Sequence, residues 1–265
     1  MALNKEVWVN QLKENFYPDS SFLKYVLDFS SEVDNNKIHM GEAGIDPKVL
    51  INNKTYPIPV VGRDDKDCEI PLDQFETENT IIRRPDAVEY AYDKLESVLR
   101  QHRSTLQKAV AVKAAHAIAP NEDTEFTPIV STTGETAKGR RRLTFADILA
   151  LKERFDNVEI PLDRRFLILH PKHVSDLLLE DLKLFKDLTN LTDGEPTRFA
   201  GFGCLSFPHM PTYSFTGGKY SKVEFKGQET ANFASVAFYT DEVMKADGEI
   251  YMYSKVDDPE QRATI

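Results

Sequence analysis

Apolar or alanine side chains recur at Val88, Ala91, Leu95, Val98, Leu99, Leu106, Ala109, Val110 and Val112. This three-and-four spacing keeps one stripe of an α-helix turned toward a core. Pro85 suits a first helical turn, where its missing N–H costs nothing, and Asp86 and Glu89 put negative charge at the positive end of the helix dipole. Pro120 closes the run, so one helix is expected over residues 85–119. At about 1.5 Å per residue it spans roughly 50 Å, more than the width of a compact small domain. The stripe is not a strict heptad and no second helix of matching length follows. The helix therefore reads as the spine of an elongated subunit.

The other patterns are shorter. Val7, Trp8, Leu12 and Phe16, then Phe22, Leu23, Val26 and Leu27, form two small amphipathic pieces around Pro18. Left exposed, these aromatics would make a costly patch, so the segment is expected to pack on the main body or on a neighbouring subunit. Residues 31–82 lack a helical period. Their β-like runs, VLINNKTYPIPVV and TIIR, with Asn52-Asn53 as a hairpin tip, predict a long projecting hairpin that needs outside support. Residues 121–142 read as a mobile polar loop. Thr144 with Asp147 resembles a capping pair, opening a helix that ends near Asn157. RFLILH, Arg165 to His170, reads as a buried strand, followed by a helix from Pro171 and a return strand over Phe199 to Phe207. Residues 208–228 read as loop. Two closing strands, ASVAFYTDEVM and EIYMYSKV, are expected to join through Asp247-Gly248. The helix stripe is expected to pack on these strands.

Composition narrows the class. With 265 residues, 41% of them hydrophobic, the chain can bury a sizeable core. A net charge of −10, from 43 acidic against 33 basic residues, argues against a sequence-independent binder of DNA or of anionic membrane. Cys68 and Cys204 form no CxxC pair, so neither a disulfide framework nor a zinc cluster is indicated. No apolar run reaches a membrane span and Met1 to Ser30 lacks a signal-peptide pattern. A protein made in the cytoplasm is expected.

Chemical motifs are sparse. His170, His173 and Asp176 could be offered as metal ligands of a hydrolase, since residues three apart share a helix face. Pro171 intervenes, however, and a strand end plus a solvated helix face is the simpler reading. Thr216 to Ser221, TGGKYS, lacks the spacing of a phosphate loop. No GxSxG, HExxH or GxGxxG is present. Neither catalytic residues, a metal nor a cofactor is expected. The basic run Lys138, Arg140, Arg141 and Arg142 reads as an interface patch rather than a nucleic-acid site. Asp64, Asp65, Asp67, Glu69, Asp73, Glu76 and Glu78 outnumber Lys66 in the hairpin, and such a density of charge repels itself. The expected partner is the basic run around Arg140 to Arg142 of an adjacent copy, with Trp8 and Phe16 as further inter-subunit residues.

The order of parts resembles the major capsid proteins of tailed bacteriophages, with the Hong Kong 97-type fold that encapsulin shells share. RFLILHPKHVSDLLLEDLKLFKD followed by FAGFGCLSFPHMP is similar to the strand, Pro-x-His/Lys and helix passage of their A-domain. SVAFYTDEVMKADGEIYMY, with DPEQRATI at the end, is similar to their closing P-domain strands. The resemblance implies an α+β fold with an N-terminal arm (1–33) and an extended hairpin loop (34–82). It further implies a peripheral domain (83–142 and 228–265) built on a spine helix (85–119), and an A-domain (143–227). It also implies self-assembly through hexamers and pentamers into an icosahedral virion shell around double-stranded DNA, with at most weak, non-specific contact to that DNA and no membrane. A separate scaffolding protein and a portal would be partners, and assembly would take place in the host cytoplasm. An encapsulin-like compartment and the metal-dependent hydrolase are the alternatives. Self-crosslinking members use a lysine on the hairpin and an asparagine on the peripheral domain. Lys48, Lys54, Lys66 and Asn232 are present, but nothing aligns them, and no crosslink is expected.

Overall fold

A computed structural model describes residues 22–42, 49–54, 56–58, 62, 66–83, 94–137, 139–180, 198–228, 232–248, 251 and 263–264. In chain order the strands before the long helix are β1 (Leu27–Asp28), β2 (Val33–Asp34), β3 (Lys37–Glu42), β4 (Lys66–Pro71) and β5 (Ile82–Arg83). Helix α1 (Lys94–Ile118) is followed by β6 (Thr136–Ala137), β7 (Arg140–Arg141), α2 (Phe145–Asn157), β8 (Arg165–Leu169) and α3 (Pro171–Glu180). The remaining strands are β9 (Arg198–Phe199), β10 (Phe202–Ser206), β11 (Tyr213–Thr216), β12 (Lys219–Lys222), β13 (Val236–Tyr239), β14 (Met244–Lys245) and β15 (Ala263–Thr264). The chain divides into two units, Met1–Leu27 with Phe75–Met244 and Tyr251–Ile265, and Asp28–Gln74 with Lys245–Ile250.

The smaller unit is an antiparallel sheet in the order β2-β3-β4, with β3 and β4 paired along their whole length from Lys37↔Pro71 to Glu42↔Lys66. Its tight turn is Asn35-Asn36, both at positive φ (49° and 59°), which asparagine tolerates better than most residues. The tip expected at Asn52-Asn53 falls in the connection between β3 and β4, where Ile51 and Asn52 form a turn and Asn52 takes positive φ (53°), whereas the stretch Val49 to Val61 was expected as strand. Among the described residues that stretch has turn and irregular backbone. Pro57 and Pro59 lack the N–H a ladder needs.

The larger unit is built on a four-stranded sheet in the order β13-β8-β10-β9. β8 and β10 run parallel, Phe166↔Gly203 to Leu169↔Ser206, and α3 lies on the chain between them. β13 pairs antiparallel with the other edge of β8. Period-two alternation then sorts β8 between two cores. Ile168 joins Phe22, Leu23, Val26, Ala111, Ala115, Ala119, Val236 and Phe238 on one face. Leu167 and Leu169 join Leu143, Ile148, Phe155, Leu177 and Phe202 on the other. Gly203 is required where β10 meets β8, because a Cβ there would lie 2.9 Å from the Phe166 ring.

The expected spine helix is present as α1, whose residues before Lys94 lie outside the described ones, as do the expected stripe positions Val88 and Ala91 and the Leu95 side chain. Its core contact is displaced from the predicted stripe. Ala111, Ala115 and Ala119, four apart, are the buried positions, while Leu106, Ala109, Val110 and Val112 are half-buried. Small side chains let the helix backbone come close to β13 and to the Phe22–Val26 segment. That segment docks on the main body as expected; Trp8 and Phe16 lie outside the described residues.

Three further readings are corrected. The end of the 121–142 loop is a small hairpin, β6 paired with β7, and the loop is tied down where the Thr133 N–H and hydroxyl both donate to Asp147. The 208–228 loop contains the hairpin β11–β12, with register Tyr213↔Lys222 to Thr216↔Lys219. Its turn is Gly217-Gly218, both at positive φ, so the TGGKYS segment is a hairpin end and not a phosphate cradle. The first closing strand is split, β13 pairing with β8 and β14 with β1, while the second, EIYMYSKV, lies outside the described residues apart from Tyr251.

Candidate functional site

The histidines sit where β8 passes into α3. His170 ends the strand, its carbonyl accepts the N–H groups of His173 (2.8 Å) and Val174 (3.1 Å), and its Nδ1 accepts the Lys172 N–H (3.1 Å). It thus caps the helix that Pro171 opens. Its ring stacks on Phe233, centroids 4.6 Å apart. His173 is buried, and its Nδ1 lies 2.7 Å from the Ser235 hydroxyl, which also accepts the His170 N–H at 3.0 Å. Burial, reinforced by the nearby Arg140 guanidinium, pushes the His173 pKa down to about 4, and burial lowers that of His170 as well. Both rings are neutral near pH 7.

Asp176 completes the seam by holding Arg140. The guanidinium reaches its two oxygens at 2.5 and 2.8 Å, and the Leu143 N–H donates to it at 3.1 Å. Burial favours the protonated acid, but these hydrogen bonds outweigh it and keep Asp176 ionised below the usual carboxylate range. The metal-site alternative is corrected by this geometry. Among the described residues no group of three His, Cys, Asp or Glu side chains could hold a metal ion. The Asp176 carboxylate is engaged by Arg140 and the His173 ring is turned to Ser235.

The expected inter-subunit residues are placed as follows. Arg140 is drawn inward, 16% exposed at the side chain, and is bound to Asp176; Arg141 is exposed and Arg142 half-buried. Glu69 stands on the exposed face of β4 and pairs with Lys37 at 2.6 Å within the same sheet. Asp64 and Asp65, and the side chain of Asp67, lie outside the described residues, as do Trp8 and Phe16.

A surface the sequence reading missed lies in the connection between β3 and β4. Val49, Ile51 and Tyr56 are 87%, 83% and 73% exposed, with Leu50 and Ile58 about half exposed. Exposed apolar side chains in this number make the connection a candidate contact surface. The signal was present in the run VLI followed by YPIP, taken there for strand.

No protein-family model matches the chain, and no curated protein matches it. Solved structures do. The chain is similar to a capsid structure of the cyanophage P-SCSP1u, with 15% identity, TM-score 0.54 and coverage of 82% of this chain and 71% of that one. It is similar to a chain of bacteriophage PhiM1 mature capsid, with 15% identity, TM-score 0.53 and coverage of 83% and 72%. A chain of Mycobacterium phage Che8 matches with 14% identity, TM-score 0.51 and coverage of 86% and 73%.

The fold is that of a phage capsid subunit.

This α+β capsid fold was expected from the sequence resemblance. The histidine seam then falls inside the body of the capsid fold as a packing feature. No helix among the described residues is long and apolar enough to cross a membrane.

Proposed function

We propose that this chain is a shell-forming structural subunit that self-assembles through hexamers and pentamers into an icosahedral virion capsid around a double-stranded DNA genome. The observation that supports it most is the capsid fold over more than four fifths of the chain. Two surface features fit the same reading. The apolar residues around Ile51 need a partner that a second copy can supply, and the acidic stretch from Asp64 to Glu78 needs a basic one. With Arg140 committed to Asp176, Arg141 is, among the described residues of the basic run, an exposed cation that such a partner would meet. In this reading residues 83–142 and 228–265 form the peripheral domain and 143–227 the A-domain. A separate scaffolding protein and a portal act as partners, assembly takes place in the host cytoplasm, and the role is structural rather than enzymatic.

Assembly of the purified chain tests the proposal. Val49→Ser with Ile51→Ser, and separately Asp64→Lys, Asp65→Lys and Asp67→Lys, are expected to lower particle yield in negative-stain images while leaving subunit melting unchanged. Wild-type yield from both sets would remove the hairpin from the account.

A further inference from the structure

From Gln74 to Ile81 the chain is a strap without regular structure, and all but Thr77 of its residues are exposed. At its far end it enters β5, which pairs with β15. Between these limits one side chain holds it. His102, on α1, places Nδ1 2.9 Å from the Thr77 hydroxyl and Nε2 3.0 Å from the Thr80 hydroxyl. Among the described residues, Gln74–Ile81 makes no other hydrogen bond or ion pair. The chemistry suits the task. An imidazole offers a polar nitrogen on each side of Cε1, and a hydroxyl, which can both donate and accept, can meet either one.

We propose that His102 is a positioning residue for assembly, a pin that fixes the strap on the spine helix and so fixes the point from which the chain departs into the hairpin unit. An unpinned strap of this length would leave that departure point free to wander, and each hairpin would have to be ordered anew as it met its partner. The proposal rests on the shell reading above.

The test uses the full chain with Cys68 and Cys204 changed to Ser and nitroxide labels at Asn79→Cys and Ser104→Cys. Electron–electron resonance then gives the strap-to-helix distance distribution in unassembled subunits. Thr77→Val with Thr80→Val removes both hydroxyls at constant shape; Thr77→Ser with Thr80→Ser keeps them. The valine pair is expected to broaden the distribution at least twofold and to slow particle formation by light scattering at least fivefold, with unchanged melting. The serine pair restores both. A distribution that stays narrow in the valine pair overturns the pin. One that broadens while particles form at the wild-type rate overturns its role in assembly. Wild-type chains that show a narrow distribution yet never form particles overturn the shell reading, and the assembly role with it, while leaving the pin itself observed.

Discussion

Neighbouring arginines show how position decides a residue's role. Arg164 is exposed and pairs with Asp241, while Arg165, one step along the strand, is fully buried. Arg165 donates to Pro161 and Ile160 carbonyls and to Asp156 and lies over the Phe155 and Phe202 rings. Nothing in the pair RR announces this; it follows from strand alternation once β8 is placed between two cores. The buried seam gives two residue-scale predictions. His173 is neutral in the fold with a pKa near 4, against 6.5 for the free side chain. The unfolded chain therefore binds more protons between those values, and stability falls as pH drops through that window. At 1.36 kcal/mol per unit, the loss between pH 7 and pH 5 is roughly 2 kcal/mol, with His170 acting in the same direction. Denaturant titrations of wild type and His173→Gln at both pH values check this, the variant giving the flatter dependence. Asp176→Asn leaves Arg140 without its charge partner and is expected to cost about 3 kcal/mol by the same measurement.

At the scale of elements, local signals were legible and long-range ones were not. The capping box was readable from Thr144 and Asp147, and each now bonds the other's backbone N–H at the start of α2. β8, α3 and β10 followed from apolar runs and from Pro171. The hairpin β11–β12 was missed although Gly217-Gly218 is a turn signal, because its strands YSFT and KYSK are short and polar. The wrong face was assigned to α1 because spacing weighs leucine and valine above alanine, whereas the close approach of β13 selects for small side chains. Ala115 is wholly buried. Ala115→Leu should therefore cost about 1–3 kcal/mol by overpacking, and Leu99→Asp, at a half-buried position, should cost less than Ala115→Asp. Lys222 offers a second check on α1. Its ammonium donates to the carbonyls of His116 (2.8 Å) and Ala119 (2.6 Å), groups the helix end leaves unpaired, while burial and then Lys113 lower its pKa. Lys222→Met should lower the melting midpoint by several degrees, equivalent to roughly 1 kcal/mol.

For the whole molecule, the capsid fold was legible from the order of parts and not from any single motif. The candidate surfaces were legible only in outline, since a sequence shows charge and apolar runs but not which are covered. Arg140 looked like part of a basic patch and is internal; Val49, Leu50, Ile51, Tyr56 and Ile58 looked like strand and are exposed. The exposed apolar residues on the small hairpin unit leave surface to be covered, and a net charge of −10 opposes non-specific association. The most direct measurement is negative-stain microscopy of the purified chain, alone and with scaffolding protein, across concentration and salt. Closed particles of uniform diameter are the expected result. Soluble monomers under every condition would contradict the shell reading.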